Sequence, residues 1–278
     1  MSKANGNNGE HKELTYNDLV SQLNSISSMA QVARGPALRD TVWTREIMLR
    51  ERIKYDLKLS AIERGVSDAD EFTTNYYRYH QALLQKRVDE LTKDVDSMAR
   101  HWPIISAMTE LRGVSTTSAA KIVCEIDIAR SNTISALWRY AGYAVVDGKR
   151  ERRVKGEKSH YNEHLKRAVY QQGDLFIKLR NPYRDLYDTA KERYTALGWT
   201  KMHAHLASIA PMVKMFLSHL WLVWREMEGL PLSLPYAHGI LGHPDYRTPQ
   251  QYGWPVATEE KQPVKTERAI SIENPILV

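Results

Sequence analysis

A chain of 278 residues can bury a hydrophobic core and can fold as one large domain or two. Its 39 Lys and Arg against 33 Asp and Glu leave a net charge of +6 and a pI near 9.2, a mild bias towards a polyanionic partner, so where the charge sits matters more than its total. A single cysteine, Cys124, excludes a disulfide framework and fits a reducing, cytoplasmic setting, and the polar N-terminus carries no apolar leader.

Residues 1–13, with Asn5, Gly6, Asn7, Asn8 and Gly9, read as a disordered polar tail. Residues 14–100 are helical in character. A helix from Tyr16 to Ala33, capped by Asn17 or Asp18, is expected to be interrupted at Gly35-Pro36. A longer amphipathic run follows, apolar at Val42, Ile47, Leu49, Ile53, Leu57 and Ile62, and Gly65 closes it. A third helix spans Asp70 to about Arg100, where Leu84, Val88, Leu91, Val95 and Met98 form a short heptad seam. This arm is expected to be an antiparallel hairpin or a means of self-association; a solvated helical bundle without a partner is the plainer alternative.

The stretch from Leu111 to Ile126 organises the rest. Ile104, Ile105, Ala107, Met108 and Leu111 recur at helical spacing, Gly113 allows a close turn, and Ala119, Ala120, Ile122, Val123 and Ile126 line a second helix that Thr116 or Thr117 can cap. Apolar residue, Gly, Val, small residue, three variable positions and Ala is a helix-hairpin-helix pattern. Such a turn aims main-chain N–H groups from Gly113, Val114, Ser115, Thr116 and Thr117 at one phosphate, where the helix dipole helps, and Lys121 extends the contact. An ordinary corner between core helices has the same pattern, and Ser115 stands where a second glycine would sharpen the motif.

Thr133 is expected to cap a short helix carrying Ile134, Leu137, Trp138 and Tyr140, which ends at Ala141-Gly142-Tyr143. Val145 and Val146, then Asp147-Gly148, then a cationic run, predict a small β-hairpin. This ribbon carries Lys149, Arg150, Arg152, Arg153 and Lys155, with Lys158 just beyond, against Glu151 and Glu157 as its only acids. A solvated charged turn is the default for such a run; beside a phosphate-binding hairpin it points to nucleic acid. Tyr143 and Tyr161 flank it as candidates for base stacking.

Three helices are predicted downstream. The first, Tyr161 to Leu179, has Leu165, Ala168, Val169, Gln172, Phe176 and Leu179 on one face. The second starts at Asn181-Pro182, and the third, Lys201 to Glu228, is the most apolar. Its run from Leu206 to Trp224 contains Pro211, Lys214 and His219, which suits a buried core helix better than a membrane span. Residues 231–278 read as an extended tail lying on the body or on a neighbouring chain.

The turn at Leu111 to Ser115, the helix end Trp138-Arg-Tyr-Ala-Gly-Tyr143, the basic ribbon and Asn162-Glu-His-Leu-Lys-Arg-Ala-Val-Tyr170 occur in one order. That order resembles the C-terminal domain of the DEDD-type insertion-sequence transposases, the bridge-RNA-guided recombinases whose relatives include a pilin-gene inverting recombinase. Family members carry a Pro-Gly-Ile-Gly-like turn where Leu111 to Ser115 stand. They have an Ala-Tyr-Ala-Gly-like helix end at Tyr140 to Gly142 and an Asn-x-x-Leu-Arg-Arg-like helix start at Asn162 to Arg167. The resemblance covers about residues 104–228. It implies DNA handling, with two departures. The family opens with a ribonuclease-H-like domain whose four acids hold metal, whereas residues 1–100 have neither strand pattern nor such acids. The family's nucleophilic serine follows the Ala-Gly element, whereas Ala144-Val-Val-Asp-Gly148 contains none, and transfer through a phosphoserine needs that hydroxyl.

Other chemistry is weaker. His160, Glu163 and His164 fit the zinc-peptidase string H-x-x-E-H, but nothing downstream supplies a distinctive third ligand. His203 and His205 point to different helix faces, and Ser159 suits a helix cap better than a nucleophile. The expectation is a mainly α chain with one small β-hairpin: a tail at 1–13, a helical arm at 14–100, a transposase-like domain at 101–230 and an extended tail at 231–278. It is expected to bind DNA without catalysis, metal or cofactor, to self-associate through 14–100, to have no membrane contact, and to reside at the nucleoid. A subunit of an active transposase or recombinase, a structural assembly protein, and RNA as the bound polymer are the alternatives.

Overall fold

The computed structural model describes residues 30–146, 149–150, 155–232 and 247–255, with the side chains of 30–34, 146 and 149–150 outside that description. The described chain is mainly α: eight helices, and one antiparallel pair of two-residue strands. It divides between Trp102 and Pro103 into two compact units.

The first unit is an antiparallel pair of long helices, α1 (Ala30–Glu63) and α2 (Glu71–Ala99). Gly65 takes φ +67 at the turn, and the Asp70 carboxylate caps α2 by accepting the Thr73 N–H at 2.7 Å. Leu38, Val42 and Leu59 of α1 and Val88, Leu91, Val95 and Ala99 of α2 are buried. Polar pairs fix the register: Arg45 Nε donates to Thr92 Oγ1 at 2.7 Å and Arg52 Nη1 to Gln85 Oε1 at 2.6 Å. Nearer the turn, the Tyr55 ring stacks on His80 at 5.6 Å and Lys58 Nζ lies 4.7 Å over Tyr77.

The expected interruption at Gly35-Pro36 does not occur, because α1 runs unbroken through both residues. An interior proline removes the bond to the carbonyl of residue 32 and costs about 3 kcal/mol. The buried Leu38 and Val42 that follow hold the segment in line regardless. Most of the helix expected from Tyr16 to Ala33 lies outside the described residues.

The second unit comprises α3 (Pro103–Thr109), α4 (Thr116–Val123), α5 (Ile134–Tyr140), β1 (Val145–Val146), β2 (Lys149–Arg150), α6 (Glu163–Lys178), α7 (Arg184–Ala196), α8 (Lys201–Met227) and a 3-10 turn at Pro249–Tyr252. α8 is the axis: α3, α5, α6, α7 and the 3-10 turn all pack on it. Among the described residues it alone has the length and hydropathy of a membrane span, and most of that stretch is buried inside the protein. Its Trp221 Nε1 donates to Ser131 O at 2.6 Å and its Arg225 Nη1 to Ile128 O at 2.9 Å, which fastens the loop after α4.

The core does not end at residue 230. Tyr252 and Trp254 are buried beside Tyr183, Phe216 and His219, with the Tyr252 and Tyr183 rings stacked at 4.5 Å. Trp254 Nε1 donates to Tyr183 Oη at 2.8 Å, Tyr183 Oη meets His219 Nδ1 at 2.6 Å, and His219 Nε2 meets Arg247 O at 3.0 Å. The Arg247 carbonyl can only accept, so Nε2 carries a proton; a neutral ring then accepts the phenol O–H at Nδ1, and the phenol oxygen accepts the indole N–H. Burial lowers the His219 pKa to about 4, which keeps the ring neutral at pH 7.

Candidate nucleic-acid interface

α3 and α4 form the hairpin. Val114 N–H donates to Leu111 O at 3.0 Å, closing a four-residue turn whose third residue, Gly113, has φ +87. A side chain there is doubly opposed, since a Cβ on Gly113 would come within 2.9 Å of Leu179 Cδ1. Leu111 and Val114 are buried and point the turn's apolar side inward.

Neither Thr116 nor Thr117 caps α4. Ser115 does, through a reciprocal box: Ser118 N–H donates to Ser115 Oγ at 3.2 Å and Ser115 N–H to Ser118 Oγ at 3.0 Å. The N–H groups of Val114, Ser115 and Ser118 are therefore bonded within the hairpin. Thr116 and Thr117, at the first two helical positions, have main-chain donors with no partner among the described residues.

Two buried side chains hold the turn from behind. Asn181 Nδ2 donates to Arg112 O at 2.7 Å and Gln172 Nε2 to Gly113 O at 3.0 Å, so both carbonyls are drawn away from the open amides. Sequence reasoning placed Gln172 on an apolar face and Asn181 at a helix start without assigning this role; a glutamine among Val169, Phe176 and Leu165 was the available signal. Arg112 and Arg180 flank the turn and are exposed. Arg180 has φ +52, where glycine is usual, and it follows Leu179, the residue against Gly113.

α4 and α6 run antiparallel. The start of α4 lies by Gln172 and Leu179, Lys121 Nζ donates to Gln171 Oε1 at 2.9 Å midway, and Glu125, just past the end of α4, accepts from Asn162 Nδ2 at 2.7 Å. Asn162 also caps α6 by accepting Leu165 N–H at 3.0 Å, and its own N–H donates to Tyr140 O at 2.8 Å. The hairpin and the base of the ribbon thus sit at opposite ends of α6, about 24 Å apart at 1.5 Å per residue over its 16 residues. They do not lie side by side.

Of the ribbon, Val145 pairs with Arg150 and Val146 with Lys149. Arg152 and Arg153 lie outside the described residues, as do the side chains of Lys149 and Arg150. Lys155 and Lys158 are exposed. At the ribbon's base Gly142 takes φ +72 close to the Tyr161 ring, over which Lys166 Nζ lies at 3.9 Å. Tyr143 is buried and cannot stack on a base, and Tyr161 has one face covered by Lys166.

The zinc string does not assemble: His160 precedes the cap at Asn162 and His164 lies inside α6, so the two share no helix face, and no metal-binding group of three occurs among the described residues. His205 Nδ1 meets Tyr187 Oη at 2.8 Å. Ser159 is not the cap either; its Oγ is buried without a hydrogen-bond partner among the described residues. The chain matches no protein-family model, no curated protein and no solved structure.

Proposed function

We propose that the chain is a non-catalytic DNA-binding protein derived from a transposase, which grips phosphates at two points. One point is the pair of open amides at Thr116 and Thr117, the observation that carries the reading; Arg112, Arg180 and Lys121 surround it with positive charge. The other is the basic ribbon, with Lys149, Arg150, Arg152, Arg153, Lys155 and Lys158. Self-association through residues 14–100 doubles the contacts.

Phosphate neutralisation makes such binding tolerant of sequence and steeply salt-dependent. Replacing Arg150, Arg152 and Arg153 with Ala is expected to weaken binding to random-sequence duplex and to lower the slope of log K against log salt by up to about three. A slope equal to that of the wild type refutes the ribbon's part. A covalent protein–DNA adduct or strand cleavage with Mg²⁺ refutes the absence of catalysis.

A further inference from the structure

α2 carries two apolar faces. The inner one packs on α1 through Val88, Leu91 and Val95. The outer one, Phe72, Tyr76, Tyr79 and Leu83, recurs at spacings of 4, 3 and 4 and remains 79%, 47%, 64% and 50% exposed. At about 100° per residue these four fall in a sector of roughly 60°, centred some 125° away from the inner face. Aromatic side chains this open on a single stripe mark an interaction surface.

We propose that a second copy of this chain docks on this stripe, antiparallel, across a two-fold axis that passes between Tyr76 and Tyr79. This deepens the self-association proposed for residues 14–100 and does not depend on what the hairpin binds. The spacing is self-complementary: reversed on itself, the stripe sets Phe72 opposite Leu83 of the second copy and Tyr76 opposite Tyr79. Charge is compatible with the same orientation. Asp68, Asp70 and Glu71 precede the stripe, and Lys86, Arg87, Asp89 and Glu90 follow it, Arg87 in an exposed pair with Glu90 at 3.0 Å. Antiparallel docking sets Arg87 opposite Asp68 of the second copy, whereas parallel docking would set each charged residue against its own copy. Thr73, Asn75 and Ala82 flank the seam without charge.

The area suffices for a modest dimer. The four side chains leave roughly 450 Å² open, taking about 200 Å² for each aromatic residue. Two copies would cover about 900 Å² before flanking residues are counted, below the roughly 1,200 Å² of stable specific interfaces and within the class of weak, transient ones. Nucleic acid fits this stripe less well, because the acids at Asp68, Asp70 and Glu71 repel phosphate.

Sedimentation of the full chain over a hundredfold concentration range in the micromolar region tests the seam. The wild type is expected to pass from monomer to dimer, and the Tyr76→Glu/Tyr79→Glu chain to stay monomeric with unchanged helix content. Leu57→Glu is the control: Leu57 is exposed and lies two residues from Tyr55, on the far side of α1, so its dimer should persist. In a Cys124→Ser background, mixing Phe72→Cys and Leu83→Cys chains should give disulfide-linked dimers. Phe72→Cys alone should give none, since its two copies would sit about 16 Å apart along the helix axis, beyond disulfide reach. A wild type that remains monomeric, a double-Glu variant that still dimerises, or cross-linking of Phe72→Cys alone overturns the seam. A wild type monomeric throughout whose DNA affinity falls in the double-Glu variant gives the stripe to nucleic acid and equally overturns it. Failure of the wild type to bind DNA while dimerising refutes the DNA reading and leaves the seam standing.

Discussion

Lowering the pH from 7 to 4 should unfasten the C-terminal strap, residues 247–255 with the buried Tyr252 and Trp254, through one residue, His219. Its ring accepts the Tyr183 proton at Nδ1 and donates from Nε2 to Arg247 O, an arrangement open only to the neutral form. Burial lowers its folded pKa to about 4, against the ordinary value of 6.5. A group whose folded pKa is depressed contributes its full stability above the unfolded pKa and loses it as pH falls towards the folded one. The window is therefore pH 6.5 down to about 4. At 1.36 kcal/mol per pKa unit the loss across it is about 3 kcal/mol, a large part of a domain's stability. The comparison is His219→Gln, which keeps a donor for Arg247 O but cannot take up a proton. At pH 7 the variant should be about 1–2 kcal/mol less stable, because the amide, although it offers a donor and an acceptor, does not match the ring's placement between Tyr183 Oη and Arg247 O. Near pH 4 the order should reverse. Urea unfolding followed by tryptophan fluorescence reads this, since Trp138, Trp199, Trp221, Trp224 and Trp254 all lie in the second unit. Equal pH slopes in the two proteins would refute both the neutral tautomer and its coupling to the strap.

Gly113→Ala should destabilise the second unit by about 1–2 kcal/mol, the cost of a left-handed conformation for an L-residue. Leu179→Ala in the same chain should recover only the steric part, and a neutral Gly113→Ala in denaturant titration would contradict the φ of +87. Arg180→Gly should act in opposite directions on two measurements. Relief of the φ of +52 should stabilise the fold by up to about 1 kcal/mol, while loss of one cation should lower the salt slope of DNA binding by about one. Weaker DNA binding without any stabilisation would remove the reason given for an arginine at that position.

Several helices were legible because burial follows period. The apolar spacing of Ala119, Ala120, Ile122 and Val123 marks α4, that of Leu165, Val169 and Phe176 marks α6, and the density of apolar residues from Leu206 to Trp224 marks α8. What escaped was decided by tertiary partners. Pro36 reads as a break until Leu38 and Val42 are seen to be buried. Ser115 and Thr116 are equivalent as caps in sequence, and only the Ser118 hydroxyl chooses between them. Tyr143 beside a basic run looks like a stacking residue until the α5 corner encloses it. The outer stripe of α2 was hidden by its own neighbour: the heptad at Leu84 to Met98 accounts for that helix, and Phe72 to Leu83 carries a second repeat out of phase with it. Tyr252 and Trp254 sit among Pro, Gly and Gln, where composition alone signals a tail.

The strap has a consequence for how the protein is made. Synthesis runs from the N-terminus, and when the last turn of α8 has been added, Phe176, Tyr183, Phe216 and His219 still lack the two aromatic lids that lie more than twenty residues further on. A nascent chain halted there presents an unlidded greasy cleft to chaperones. Expression fragments cut near residue 230 should collect in inclusion bodies, while those extended to residue 255 should remain in the supernatant.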